Sequence, residues 1–183
     1  MRIIAGKFRS KKLTSPKGDD IRPTSDRVRQ SIFNIISSRL DHDFSEQRVL
    51  DLFAGTGAMG IEAISRGASE VVFVDNGLEA RSLIRSHIDS FGIGGQARLL
   101  KRDALNLGKN EKCIPFNMIF IDPPYGKNLG KAALNAALEN GWIADGAIII
   151  LEEKARQEIE FSDDLELIDR RKYGNSEVYL LRV

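Results

Sequence analysis

The sequence predicts an α/β protein built on a doubly wound sheet, and two observations carry that prediction. From residue 49 onward, short apolar runs alternate with segments of helical spacing, as a parallel sheet with crossover helices requires. The chain then closes on two strand-like runs, Leu165–Tyr173 and Glu177–Val183, separated only by Gly174-Asn175-Ser176. A connection that short permits only an antiparallel hairpin, because a parallel pair needs a crossover of roughly a dozen residues or more.

The elements follow in order. Ile3-Ile4 and Phe8 flank Ala5-Gly6 in a small hairpin, and residues 14–21 read as a polar loop. Residues Arg27–Leu40 place Val28, Ile32, Ile35, Ile36 and Leu40 on one helical face, with Thr24 or Ser25 available as N-cap behind Pro23. Candidate strands are Val49–Phe53, Val71–Asp75, Ala97–Asp103, Phe116–Asp122 and Ala147–Glu152. Between them, Ala58–Arg66, Leu78–Phe91 and Leu129–Asn140 have helical spacing, closed by Gly67, Gly92 and Gly141 at positions where a helix end takes glycine. A basic N-terminal extension, residues 1–45, thus precedes a sheet domain, residues 46–183.

At 183 residues the chain can bury a sizeable core. No apolar stretch approaches the length of a membrane span, and no segment resembles a signal peptide, so a cytoplasmic protein is expected. One cysteine, Cys113, and two histidines, His42 and His87, leave neither a disulfide nor a metal cluster to build. The histidines read as surface residues, Cys113 as an inert loop thiol and Trp142 as a packing anchor. The net charge of +1 hides an asymmetry: residues 1–30 hold nine Lys or Arg against three acids, whereas residues 31–183 hold 18 against 23. A basic segment on a mildly acidic body offers a foothold for a polyanion, with a solvated terminus as the plain alternative.

Two motifs carry the chemistry. Asp51-Leu-Phe-Ala-Gly-Thr-Gly-Ala-Met-Gly60 is a strand entering a glycine turn and then a helix. Gly55 and Gly57 let the backbone approach a ligand, and the helix N-terminus favours an anionic group. Gly55, Gly57 and Gly60 formally satisfy G-x-G-x-x-G, with Asp75 twenty residues after Gly55, so a dinucleotide competes as ligand. Asp51, suited to an ammonium group, and the terminal hairpin, foreign to an all-parallel dinucleotide domain, favour S-adenosylmethionine. Phe53 and Thr56 belong to the same turn. Asp75 ends the second strand, where it can accept both ribose hydroxyls; Asp103 can accept from the adenine amine, with the Ala104 N–H beside it.

The second motif, Asp122-Pro123-Pro124-Tyr125, follows the apolar run Met118–Ile121. It sets a carboxylate, a rigid turn and an aromatic ring at a strand's carboxyl end, where open α/β sheets keep their sites. Asp122 and the Pro123 carbonyl can accept the two hydrogens of an exocyclic amine while Tyr125 stacks on the base. A strand ending at a Pro-Pro turn is the bland alternative.

Taken together, Asp51 to Gly60, Asp75, Asp103 and Asp122 to Tyr125 resemble the ordered signature of a Rossmann-like, S-adenosylmethionine-dependent methyltransferase acting on an exocyclic amine. The segments Arg2-Ile-Ile-Ala-Gly-Lys-Phe-Arg, Ile21-Arg-Pro-Thr-Ser-Asp-Arg-Val-Arg, Ser31-Ile-Phe-Asn and Gly141-Trp-Ile-Ala-Asp narrow this. They are similar to the bacterial 16S ribosomal RNA guanine-N2 methyltransferase family (the 966 modification). The resemblance spans nearly the whole chain, and its Arg-Pro-Thr…Arg-Val-Arg segment is the most discriminating part.

It implies a class I methyltransferase sheet of seven strands with the last, Glu177–Val183, antiparallel, and an enzyme acting on 16S RNA or the small ribosomal subunit; a monomer is expected. Lys7, Arg9, Lys11, Lys12, Arg22, Arg27 and Arg29 would then grip phosphates. For Arg22 and Arg27, pairing with Asp26 or a carboxylate of the body is the structural alternative. An adenine-N6 methyltransferase stays open, since the Asp122 motif serves that amine too.

Overall fold

The computed structural model describes residues 1–16, 25–124, 129–155 and 159–183. Among these residues, seven strands and four α-helices follow in order: α1 (Asp26–Arg39), β1 (Arg48–Leu52), α2 (Ala58–Arg66), β2 (Glu70–Val74), α3 (Leu78–Phe91), β3 (Ala97–Leu100), β4 (Phe116–Ile121), α4 (Leu129–Glu139), β5 (Ile143–Lys154), β6 (Glu166–Tyr173) and β7 (Ser176–Arg182). They form one sheet of order β3-β2-β1-β4-β5-β7-β6. The first five strands pair in parallel, and β7 runs antiparallel to both β5 and β6. The hairpin expected from Gly174-Asn175-Ser176 is therefore β6–β7.

Chain order reverses between β1 and β4. From β1 the chain winds outward through β2 to β3, then returns to the other side of β1 as β4. The two neighbouring strands send their following loops to opposite faces, which opens a crevice at their carboxyl ends. The glycine turn leaves β1 there, and Asp122 leaves β4 there.

The strands β1, β2 and β4 are buried almost throughout, so they read as continuous apolar runs rather than alternating ones. Their side chains feed two clusters, one on each face of the sheet. One includes Val49, Val71, Phe73, Met118 and Phe120; the other includes Leu50, Leu52, Val72, Ile119 and Ile121. The first also takes in Ile3, Leu13, Ile32, Phe33, Ile36 and Phe44, so the described parts of the N-terminal extension share a core with the sheet. Helix α1 covers this face with Ile32, Phe33 and Ile36 and begins at the Ser25 hydroxyl, which accepts the Val28 N–H.

Gly60 permits α2 to lie close to the sheet. A β-carbon there would stand 2.5 Å from the Phe73 ring and 2.6 Å from a Val71 methyl. The third glycine of the G-x-G-x-x-G spacing is thus a packing requirement, independent of any ligand.

Four features differ from expectation. Strand β3 stops at Leu100, and Asp103 instead accepts the Leu105 N–H in a local turn, a habit of Asp that competes with ladder pairing. Strand β5 begins four residues early at Ile143, across an irregularity opposite Phe116–Met118. The N-terminal hairpin is a loop with a 3₁₀ turn at Gly6–Phe8, closed by a single antiparallel bridge between Arg2 and Lys12. His87, expected at the surface, is buried within α3. Trp142 is a packing anchor: it stacks on Phe116 at 6.2 Å and donates its indole N–H to the Gly108 carbonyl at 2.7 Å. His42 is exposed, and Cys113 lies half-buried in the loop before β4.

Candidate active site

A cleft of about 1250 Å³ occupies the crevice at the strand ends. Its floor is the turn after β1: Asp51, Phe53, Ala54, Gly55 and Thr56. Phe53 holds φ 55°, and Gly55 and Gly57 hold φ 54° and 74°. The glycines adopt this left-handed region without cost, whereas a phenylalanine there stores strain of the kind that clusters at ligand sites. Gly57 is the N-cap of α2 and, having no side chain, supplies no capping hydrogen bond of its own.

Asp51 is buried, and its Oδ2 accepts the Gly60 N–H at 3.0 Å. It thus satisfies one of the helix's orphan donors from the neighbouring strand. Burial pushes its carboxyl well above the usual range, and the Asp122 and Asp75 charges raise it further, against the Gly60 hydrogen bond.

Asp75, just after β2, accepts the Gly55 N–H at 2.9 Å through Oδ2 and the Gly77 N–H at 2.8 Å through Oδ1. It ties the glycine turn to the start of α3. Each carboxylate oxygen keeps a further lone pair for a ligand hydroxyl. Asp122, Pro123 and Pro124 line the same cleft from the end of β4.

The structure thus brings together Asp51, Phe53, Gly55, Thr56, Asp75, Asp122 and Pro123 from the residues expected in the site. Gly57 stands directly behind the turn. Asp103 and Ala104 lie outside the cleft lining: Asp103 is exposed, and Ala104 is buried in the core. Tyr125 and Arg22 lie outside the described residues.

Of the expected phosphate grips, Lys7, Arg9, Lys11, Lys12 and Arg27 are exposed, and Arg27 lines the cleft rim. Arg29 is a correction. It is fully buried, donates to Asp26 at 3.0 Å and to the Arg2 carbonyl, and lies 3.7 Å from Glu62. Its position on the inner face of α1, three residues after Asp26, explains the burial: the guanidinium ties α1 to the N-terminal loop and to α2, and presents nothing to a phosphate.

The second wall of the cleft carries no sequence motif. Val28 and Ser31 of α1 and its N-cap Ser25 line the cleft together with Lys172, Tyr173 and Ser176 of the terminal hairpin and Glu152 of β5. The Ser31 and Tyr173 hydroxyls meet at 2.6 Å, joining α1 to the hairpin. No local motif announces residues that meet only through the sheet order. The identity of Glu152 as the last residue of an apolar strand was the one signal available.

A sheet of this order, with a glycine turn, a strand-end Asp75 and an Asp-Pro-Pro at the switch point, defines a Rossmann-like methyltransferase. The chain belongs to the family described as conserved hypothetical protein 95, which matches residues 1–182. It is 33% identical over 154 residues to ribosomal RNA small subunit methyltransferase D of Escherichia coli K12, covering 84% of this chain and 75% of that protein. The protein of the same name from Haemophilus influenzae is 29% identical over 176 residues, covering 95% of this chain and 89% of the relative. The solved structure of yhhF from Escherichia coli matches with a TM-score of 0.87 and 28% identity, covering 100% of this chain and 97% of that one. The family resemblance read from the motifs agrees with these matches, and the protein is a methyltransferase.

Proposed function

We propose that the protein transfers a methyl group from S-adenosylmethionine to the exocyclic N2 amine of a guanine in 16S ribosomal RNA. The observation that carries this reading is the single cleft holding the Asp51–Thr56 turn and Asp75 beside Asp122 and Pro123. The small-subunit RNA substrate follows from the relatives named ribosomal RNA small subunit methyltransferase D.

The donor set suits the cofactor. Asp51 would attract the ammonium, the backbone around Gly55 and Gly57 would admit the amino-acid part, and Asp75 would accept ribose hydroxyls. When bound, the cofactor supplies a methyl on a cationic sulfur, already activated for transfer.

The remaining difficulty lies with the guanine amine, whose lone pair is conjugated into the ring. Asp122 and the Pro123 carbonyl would accept its two hydrogens, favour a pyramidal nitrogen and aim the lone pair. Orientation of this kind lowers a barrier by roughly 7–11 kcal/mol, so Asp122 acts through positioning and electrostatic stabilisation, and the proton can leave to solvent after transfer. Arg27 on the cleft rim would hold a phosphate beside an unstacked or unpaired target, and Lys7, Arg9, Lys11 and Lys12, on the arm that packs against Phe91 at the far end of α3, would hold phosphates farther from the cleft. Tyr125 would stack on the base.

Labelled methyl transfer onto 16S RNA and onto small subunits lacking the modification, followed by mapping of the product nucleoside, tests this. N2-methylguanosine is the expected product; label on adenine, or on DNA alone, overturns the assignment.

A further inference from the structure

Asp122 has an acidic neighbour that no motif marks. Strands β4 and β5 pair in parallel through Ile121 and Leu151, so Asp122, the first residue beyond β4, lies beside Glu152, which β5 carries two residues before its end at Lys154. Neighbouring strands lie about 4.8 Å apart, so side chains from the two can reach the same edge of one ligand. Glu152 is only 8% exposed, yet it lines the same cleft as Asp122 and Pro123.

Strand alternation assigns the two consecutive glutamates of β5 to different tasks. Glu153 points to the α4 face, where its Oε1 accepts the Gly130 N–H at 3.2 Å. Glu152 sits opposite Val178, on the face that α1 covers and toward the second wall of the cleft.

We infer that Glu152 reads the purine: it accepts the N1–H of the target guanine while Asp122 and the Pro123 carbonyl hold the N2 amine. This rests on the proposed guanine-N2 reaction. Guanine presents two donor groups side by side, N1–H and the N2 amine. Adenine presents a bare N1 lone pair next to its N6 amine. An ionised carboxylate only accepts, so it completes the guanine edge and meets the adenine edge lone pair to lone pair. Asp122 and Pro123 serve either amine equally well; Glu152 separates the two bases. Sites built to hydrogen-bond a substrate group reject the analogue lacking it far more strongly than apolar pockets do.

The test compares small-subunit particles reconstituted with 16S RNA bearing either guanosine or 2-aminopurine riboside at the mapped target nucleotide. 2-Aminopurine keeps the N2 amine and lacks the N1 hydrogen. Wild-type protein is expected to prefer guanosine by roughly 100-fold or more in kcat/KM, and Glu152→Gln, whose amide can donate to a bare N1, to narrow the ratio below about 10-fold. S-adenosylhomocysteine affinity is expected to stay at the wild-type value. A Glu152→Gln ratio equal to the wild-type ratio overturns the inference, because a merely structural glutamate would shift stability and leave the ratio alone. Equal wild-type rates on the two purines overturn it as well, whether or not the variant folds. Failure of the wild type to methylate guanosine at N2 overturns the proposed reaction itself, and the inference with it.

Discussion

His87 and Thr56 join the N-terminal arm to the glycine turn: the imidazole Nδ1 lies 3.0 Å from the Thr56 carbonyl, and Nε2 accepts the Thr14 N–H at 2.9 Å. Because a backbone N–H only donates, Nε2 carries no proton, and Nδ1–H donates to Thr56. The ring works only when neutral. Burial lowers its pKa below the ordinary 6.5, against the Thr56 hydrogen bond.

The sign of the resulting pH dependence is fixed. A histidine with a depressed native pKa binds fewer protons folded than unfolded, so its contribution is complete above about pH 6.5 and is lost as the pH falls through the window below that value. His87→Ala is expected to cost about 2–4 kcal/mol at pH 7.5 through two lost hydrogen bonds and a cavity, and the deficit is expected to shrink at pH 5.5. Urea unfolding at both pH values checks this; an unchanged deficit would contradict it.

Glu62 is the buried anchor of the basic arm. Its carboxylate accepts the Ile4 N–H at 2.8 Å, the Ala5 N–H at 3.0 Å and the Arg66 Nε–H at 2.9 Å, with the Arg29 Nε at 3.7 Å. Removing one partner of a buried pair strands the other charge, so Glu62→Ala is expected to cost about 3–5 kcal/mol. The arm should loosen at the same time, and trypsin should cut at Lys7 to Lys12 sooner than in the wild type. A large stability loss with unchanged cleavage would show that the arm is held elsewhere, by contacts such as the Phe8–Phe91 edge packing at 5.0 Å.

These anchors also show where the sequence was legible and where it was not. Helices α2 and α3 were readable to the residue because Gly67 and Gly92 end them in backbone conformations with positive φ. The glycine turn and Asp122 were readable because each follows a buried strand directly. Arg29, His87 and Glu152 were not, since Arg29 and His87 act through partners 27 to 73 residues away and Glu152 through strand order. Residue type misled here: an arginine among arginines looks like a phosphate grip until α1 is rotated against α2.

Asp122→Ala separates chemistry from cofactor binding. If Asp122 orients the amine, as proposed, methyl transfer should fall by at least about 100-fold, in line with loss of one preorganised electrostatic group. S-adenosylmethionine affinity should stay within a few-fold, since Asp51 and Asp75 remain. Single-turnover transfer and titration calorimetry measure the two separately, and a parallel loss of both would reassign Asp122 to the cofactor.

Asp51 sets stability against binding. Its carboxyl titrates well above the ordinary 3.8, chiefly through burial, so the folded protein holds a proton that the unfolded chain releases. The resulting stability is complete below pH 3.8 and is lost as the pH rises through the raised native value. Asp51→Asn keeps a carbonyl oxygen for the Gly60 N–H and cannot take on a buried charge, so it is expected to be at least as stable as the wild type. It is also expected to bind S-adenosylmethionine about 10-fold more weakly, through loss of a charge-assisted contact to the ammonium. Cofactor affinity of the wild type should rise with pH as Asp51 ionises, whereas that of the variant should not. Calorimetric titrations from acid to neutral pH compare the two slopes, and an identical slope in Asp51→Asn would remove Asp51 from the cofactor site.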